Sequence, residues 1–383
     1  MTGALESQDS LKAGKRRSEL EVQSLLAEIK RAFAAKPFKP HPLFTNGHAQ
    51  TLAGYAWPRR FRLRALQSDE EHLFEVDPGI RVLAHCRWQD DRPDQPTIVL
   101  WHGIEGSSDS IYMLGTADKA FRAGFNVVRM NVRNCGGTEH LTPTLYHGGL
   151  TEDLRVVIDE LIVRHHLSGI FLAGFSLGGN MVLKLAGEYG DSPPREISGV
   201  ATVSPSVDLN ASSQLIGEKR NWIYHRNFVT RLQRRVDFKK ELYPDLYEPE
   251  PLPLARTLRE FDDRYTAPAF GFAGVDDYYA RASSLPLIDR ITIPTLIIHA
   301  QDDPFIPFAP LRDPRVTANP YVLLVAPKRG GHVGFVAASS RSNADEPDAN
   351  SEEQEGQQLL EDRFWAENRV VEFCKLTNQK SGL

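Results

Sequence analysis

Cysteine is scarce: only Cys86, Cys135 and Cys374 occur in 383 residues. Three widely spaced thiols, without a C-x-x-C pair, exclude a disulfide framework and a thiolate metal knuckle. They read as small buried apolar side chains in a reducing compartment. Long apolar runs are missing as well, so no segment is fit to span a bilayer as a helix. The first forty residues are polar and charged, without the apolar core of a secretion signal, and the reading is a cytoplasmic chain. Positive charge is not in excess either. A formal net charge of −5 and a pI near 6.2 give no long-range attraction to nucleic acid or to an anionic surface. Walker-type, G-x-G-x-x-G and H-E-x-x-H motifs are absent, and His165 and His166 are adjacent and point apart on a helix. No cofactor and no metal is expected.

What is present is the composition of a soluble globular protein, 41% apolar and 25% charged, long enough to bury a sizeable core. Residues 1–36 read as an N-terminal helical arm. Ser18 and Glu21 make an S-x-x-E capping box, and Val22, Leu25, Leu26, Ile29 and Phe33 follow at helical spacing. Docking on its own domain is the expected use of that apolar stripe; contact with a membrane surface is not favoured. Two alternating runs, 71–77 and 80–88, flank Asp77-Pro78-Gly79 as in a hairpin. Dense apolar runs follow at 97–101, 125–130, 169–173, 197–203, 295–299 and 321–325, with helical patterns near 110–123, 150–165 and 178–188. Alternating β and α predicts a mostly parallel central sheet flanked by helices.

That rhythm breaks between residues 206 and 284, a helical and then Pro-rich stretch that reads as a cap inserted after the sixth strand. The core is expected over 37–205 and 285–383. The basic residues from Lys219 to Lys240 read as a solvated helix face. Residues 339–360 hold six acids against one Arg and read as a flexible acidic loop.

The chemistry centres on Gly174-Phe175-Ser176-Leu177-Gly178, set between the run 169–173 and a helical pattern. G-x-S-x-G at a strand-to-helix junction is a nucleophile elbow: the serine takes a strained turn, and the glycines let strand and helix approach. A serine hydroxyl needs a base, and in this topology the acid and then the histidine follow the nucleophile. His332, in a Gly-rich loop beyond the last apolar run, is the expected base; His225 falls in the insertion and His299 in a buried strand. The acid should follow the run 295–299, where Asp302 and Asp303 compete. Asp303 is preferred because Pro304 fixes its turn, with Asp302 bonding the loop and Asp208 a weaker third choice. The oxyanion donors should be the N–H groups of Leu177 and of Ile104, the latter in His102-Gly103-Ile104-Glu105-Gly106 after the run 97–101. His102 reads as a loop anchor.

These residues, with several further motifs, resemble the YheT-like branch of the α/β-hydrolases. The further motifs are Asn46-Gly47-His48-Ala49-Gln50-Thr51, Tyr146-His147-Gly148-Gly149, Glu260-Phe261-Asp262-Asp263 and Gly331-His332-Val333-Gly334. The resemblance runs from about residue 38 to residue 373. It implies an α/β-hydrolase fold with a helical cap insertion, and a Ser–Asp–His triad falling on Ser176, Asp303 and His332. It also implies activity on short- or medium-chain esters or acylglycerols. Asn134-Cys135-Gly136-Gly137 departs from the family's usual Gly-Cys-Ser-Gly. The expected partner is a small acyl ester. A thioesterase or acyltransferase on the same triad, or a binding protein on the same scaffold, are the rival readings.

Overall fold

The computed structural model describes residues 17–59, 69–247, 254–338 and 361–379. At the N-terminus, Ser18 and Glu21 form both halves of the capping box that opens α1, Glu19–Ala35. Its apolar stripe, Val22 to Phe33, is buried in the domain's own core rather than left free. Helix α2, Gly47–Ala56, follows. The hairpin β1, Glu70–Asp77, and β2, Ile80–Arg87, turns at Gly79, where φ is 73°.

Six more strands complete one sheet. They are β3 Thr97–Trp101, β4 Asn126–Met130, β5 Ile170–Phe175, β6 Ile197–Val203, β7 Thr295–Ile298 and β8 Val322–Val325. The order is β1-β2-β4-β3-β5-β6-β7-β8; β2 pairs antiparallel with β1 and β4, and the rest is parallel. Helices α3 Ile111–Arg122, α4 Thr151–Val163 and α5 Leu177–Tyr189 supply crossovers. The expected runs fall on these strands with ends shifted by a residue or two. Strand β5 runs on to Phe175 because Gly174 and Phe175 still pair with Thr202 and Val203.

Alternation along the buried strands divides the core in two. Val99 and Leu172 face a cluster with α4 and α5, while Ile98, Leu100, Phe171 and Ala173 face one with α1 and α3. The last helix, α9 Trp365–Gln379, belongs to that second layer. Between β6 and β7 lie α6 Leu209–Ile216, α7 Trp222–Leu242 and α8 Val275–Ala282. The basic face of α7 is not wholly solvated, since Arg235 and Lys239 are buried. All three cysteines are free and buried; burial pushes the Cys86 and Cys135 thiols up to about 12. The acidic stretch 339–360 lies outside the described residues. No described helix is long and apolar enough to cross a membrane.

Candidate active site

Strand β5, in the middle of the sheet, ends at the carboxyl ends of the parallel strands, and Ser176 turns the chain into α5 with φ 53° and ψ −116°. Positive φ at a residue with a Cβ is strained. The hydrogen bond from the Ser176 N–H to the Val203 carbonyl, 3.0 Å, holds the turn. The flanking glycines are required by contact. A Cβ on Gly174 would stand 2.3 Å from the Gly178 oxygen, and one on Gly178 would stand 2.5 Å from the His102 oxygen. Gly178→Ala is therefore expected to lower the melting temperature by several degrees; an unchanged melting curve would contradict this contact.

Gly103 brings the loop after β3 against the serine: a Cβ there would lie 3.0 Å from Ser176 Cβ and 3.5 Å from its Oγ. Ile104 is the next residue. Leu177 begins α5, so its N–H belongs to the first turn, where the helix offers no carbonyl partner. Both residues line the same cavity as Ser176 and His332.

His332 Nδ1 stands 2.8 Å from Asp303 Oδ2. The other Asp303 oxygen accepts the N–H groups of Phe305 and Ile306 at 2.8 and 3.0 Å. Burial pushes this carboxyl up, but the His332 charge and hydrogen bond, with His299 and the Phe305 N–H, outweigh it and leave Asp303 below the usual range. Asp302 does something else: its Oδ1 accepts the Gly331 N–H at 3.0 Å, bracing the loop that carries His332. Asp208 caps α6 through the Ala211 N–H. His225 accepts the Leu258 N–H. His299 is buried under the Asp303 turn, with Nε2 3.2 Å from the Ile306 carbonyl. His102 Nε2 accepts the Val132 N–H, so Nδ1–H donates to the Gly103 carbonyl; burial holds it neutral, with a pKa down to about 4.

The N-terminal motif, whose task the sequence left open, grips the same loop. Thr51 Oγ1 accepts the His332 N–H at 2.9 Å, and Gln50 both accepts from and donates to the Val336 backbone. Ser204 accepts the N–H of Val333, whose φ of 56° is unusual for a β-branched residue. Asn180, one turn into α5, donates to the Gly148 and Ala282 carbonyls and accepts the Ser284 N–H, tying the cavity-lining Gly148 loop and the C-terminal end of α8 to the elbow helix. The altered 134–137 loop has Asn134 at φ 66° and donating to the Thr144 carbonyl.

The cavity, about 90 Å³, runs under α6 and α7. Its walls are largely apolar: Leu145, Phe228 and Leu232 on one side, Leu209 and Tyr278 on the other.

The family model described as "alpha/beta hydrolase fold" matches residues 96–337. The chain belongs to the α/β-hydrolase family. The putative esterase YheT of Escherichia coli is 31% identical over 88% of this chain and 92% of its own length. Human phospholipase ABHD3 is 32% identical over 64% of this chain and 60% of its own length. A monoacylglycerol lipase of Saccharomyces cerevisiae is 31% identical over 63% of this chain and 55% of its own. A solved esterase, Pf2001 of Pyrococcus furiosus, aligns at TM-score 0.49 with 15% identity, over 82% of this chain and 95% of that one.

Sequence reasoning also missed a link between α7 and the loop after β3 in this α/β-hydrolase. Glu105, at φ 55°, has its carboxylate clamped by Arg235 Nε and Nη2 at 2.9 and 2.8 Å. Tyr146 donates to the same carboxylate and accepts the Glu105 N–H. Glu105 and Arg235 stand 130 residues apart, and no local signal connects them. Away from the cavity, His72, Glu160 and His165 gather ligand-type atoms within 4.8 Å. Arg92 donates to His165 Nδ1 beside them, so a cation already serves the group, and the half-buried cluster reads as a hydrogen-bonded network.

Proposed function

We propose that this α/β-hydrolase cleaves carboxylic esters through Ser176, His332 and Asp303. The observation that carries the reading is the strained Ser176 turn sharing one cavity with a histidine already paired to a buried carboxylate. His332 Nε2 takes the Ser176 Oγ proton as Oγ attacks the ester carbonyl. Asp303 keeps the proton on Nδ1 and stabilises the imidazolium. The N–H groups of Leu177 and Ile104 receive the developing oxyanion. As the tetrahedral intermediate collapses, the alcohol leaves with the proton from His332. Water, deprotonated by the same imidazole, then releases the acid from the acyl-enzyme.

Residues 206–284 act as a cap over a core of 37–205 and 285–383, and a small, mostly apolar chamber suits short or medium acyl chains. The names of the relatives, an esterase, a phospholipase and a monoacylglycerol lipase, support ester chemistry. A fluorophosphonate probe tests the reading. One equivalent is expected on the peptide containing Ser176, with p-nitrophenyl ester hydrolysis stopping in proportion. Labelling elsewhere, or an unlabelled Ser176 with hydrolysis intact, refutes it.

A further inference from the structure

One stretch of the largely apolar cavity wall gathers four polar side chains, one of them a carboxylate. Asp262 begins a π-helical turn, Asp262–Thr266, that continues the short helix Leu258–Phe261. Such turns are rare and recur at functional sites. Asp262 Oδ1 accepts the Thr266 hydroxyl at 2.8 Å, and Oδ2 accepts the Tyr279 hydroxyl at 2.7 Å. Tyr279 Oη lies 3.1 Å from Ser213 Oγ; its single proton goes to Asp262, so Ser213 donates to it. All four residues line the cavity that holds Ser176 and His332.

This carboxyl has no cation of its own. Among the described residues Asp262 forms no ion pair, and Arg259, on the same segment, pairs with Asp276 instead. The carboxyl group is enclosed by protein, and the residue, half-buried as a whole, is part of the cavity lining. Burial pushes its pKa up to about 6 against the pull of Tyr279 and Thr266, so the carboxylate still predominates at neutral pH. A carboxylate offers about four acceptor positions, of which two are filled. Facing an apolar chamber, the unfilled positions are costly unless something that enters the chamber donates to them.

We propose that Asp262, Tyr279 and Ser213 form a subsite that recognises a hydroxyl on the ester substrate, carried by either its acyl or its alcohol half. The inference rests on the ester-hydrolase reading. A hydroxyl fits because its proton can fill an open Asp262 acceptor position without bringing a charge into the chamber, and the Tyr279 and Ser213 oxygens beside that carboxylate can only accept. The Arg235 guanidinium, moreover, lines the same chamber and disfavours a second cation.

Two substrate pairs test it. Propyl butyrate and glyceryl monobutyrate share an acyl group and a three-carbon alcohol, and differ only in hydroxyls on the alcohol. Ethyl butyrate and ethyl 3-hydroxybutyrate differ only in a hydroxyl on the acyl chain. The wild-type protein is expected to prefer the hydroxylated member of one pair by about 10- to 100-fold in kcat/KM, as a hydrogen bond to a charged group predicts. Which pair shows the preference tells which half of the substrate meets the wall. Asp262→Asn and Tyr279→Phe should each collapse that ratio about tenfold or more. Ratios near one in both pairs overturn the subsite while leaving ester hydrolysis standing. So do variants that lower both members of a pair equally, which is the signature of a structural role. A preference for butyrylcholine that is lost in Asp262→Asn would overturn it in favour of a cation site. If none of the four plain or hydroxylated esters is turned over, the hydrolase reading fails and the subsite with it.

Discussion

Ser176→Ala is expected to lower kcat for p-nitrophenyl butyrate by about 10⁶-fold, and Asp303→Asn by about 10⁴-fold, while Asp302→Asn stays within about tenfold. The ranking follows from what each atom touches. Without Oγ no acyl-enzyme forms, and only the binding and oxyanion terms survive. Asparagine at 303 keeps the shape and the bonds from the Phe305 and Ile306 N–H groups, but it no longer supplies the charge opposite His332. Asp302 accepts backbone N–H groups of the Gly330–Gly331 turn, and an asparagine carbonyl accepts such bonds nearly as well. Steady-state kinetics on the three variants, with melting curves to show that each is folded, decide the matter. If Asp302→Asn abolishes turnover and Asp303→Asn does not, the acid has been misassigned.

The parts of this site that were legible in the sequence are the parts fixed by neighbours along the chain. The elbow could be read because a serine at positive φ needs small residues two positions either side, where strand and helix touch. Asp303 could be preferred over Asp302 because Pro304 sets the turn that aims Phe305 and Ile306 N–H groups back at it. The strands of the parallel sheet show as dense apolar runs because both faces are covered. What was hidden depends on contacts across the fold. Thr51 lies 281 positions from His332. Asp262 and Tyr279 meet through a π-helical turn that no periodicity announces. The basic residues from Lys219 to Lys240 looked like a solvated face, and Lys219, just before α7, and Arg226 and Arg234 on it are exposed. Arg235 and Lys239 differ only in lying on the helix's inner side, a distinction that appears once the partner loop is known.

Arg235, which lines the cavity without touching the triad, has a large expected effect on stability. Arg235→Met should destabilise the protein by about 3–5 kcal/mol, because it leaves the Glu105 carboxylate buried and without its bidentate partner. Glu105 exposes only 2% of its side chain, and the remaining cation near it, the half-exposed Arg231, donates to the Glu105 carbonyl at 2.6 Å while its Nε stays 3.9 Å from the carboxylate. The consequence should reach the reaction. Glu105 follows Ile104 directly, and its strained φ of 55° is held by the Arg235 clamp and by the Tyr146 hydroxyl on its N–H. Releasing it would let the Ile104 N–H swing off the oxyanion position proposed for it, and losing one such donor costs about 10²- to 10³-fold in kcat. Urea unfolding and steady-state kinetics on Arg235→Met, Glu105→Gln and the double variant separate the two effects. The double variant should be more stable than Arg235→Met alone, since neutralising Glu105 removes the stranded charge, yet its kcat should stay low because the clamp is still missing. Arg235→Lys should restore charge without the two-pronged geometry, and so recover stability more than turnover. A double variant no more stable than Arg235→Met would show that the cost is lost packing of α7. Turnover of wild-type size in Arg235→Met would separate this clamp from the oxyanion loop altogether.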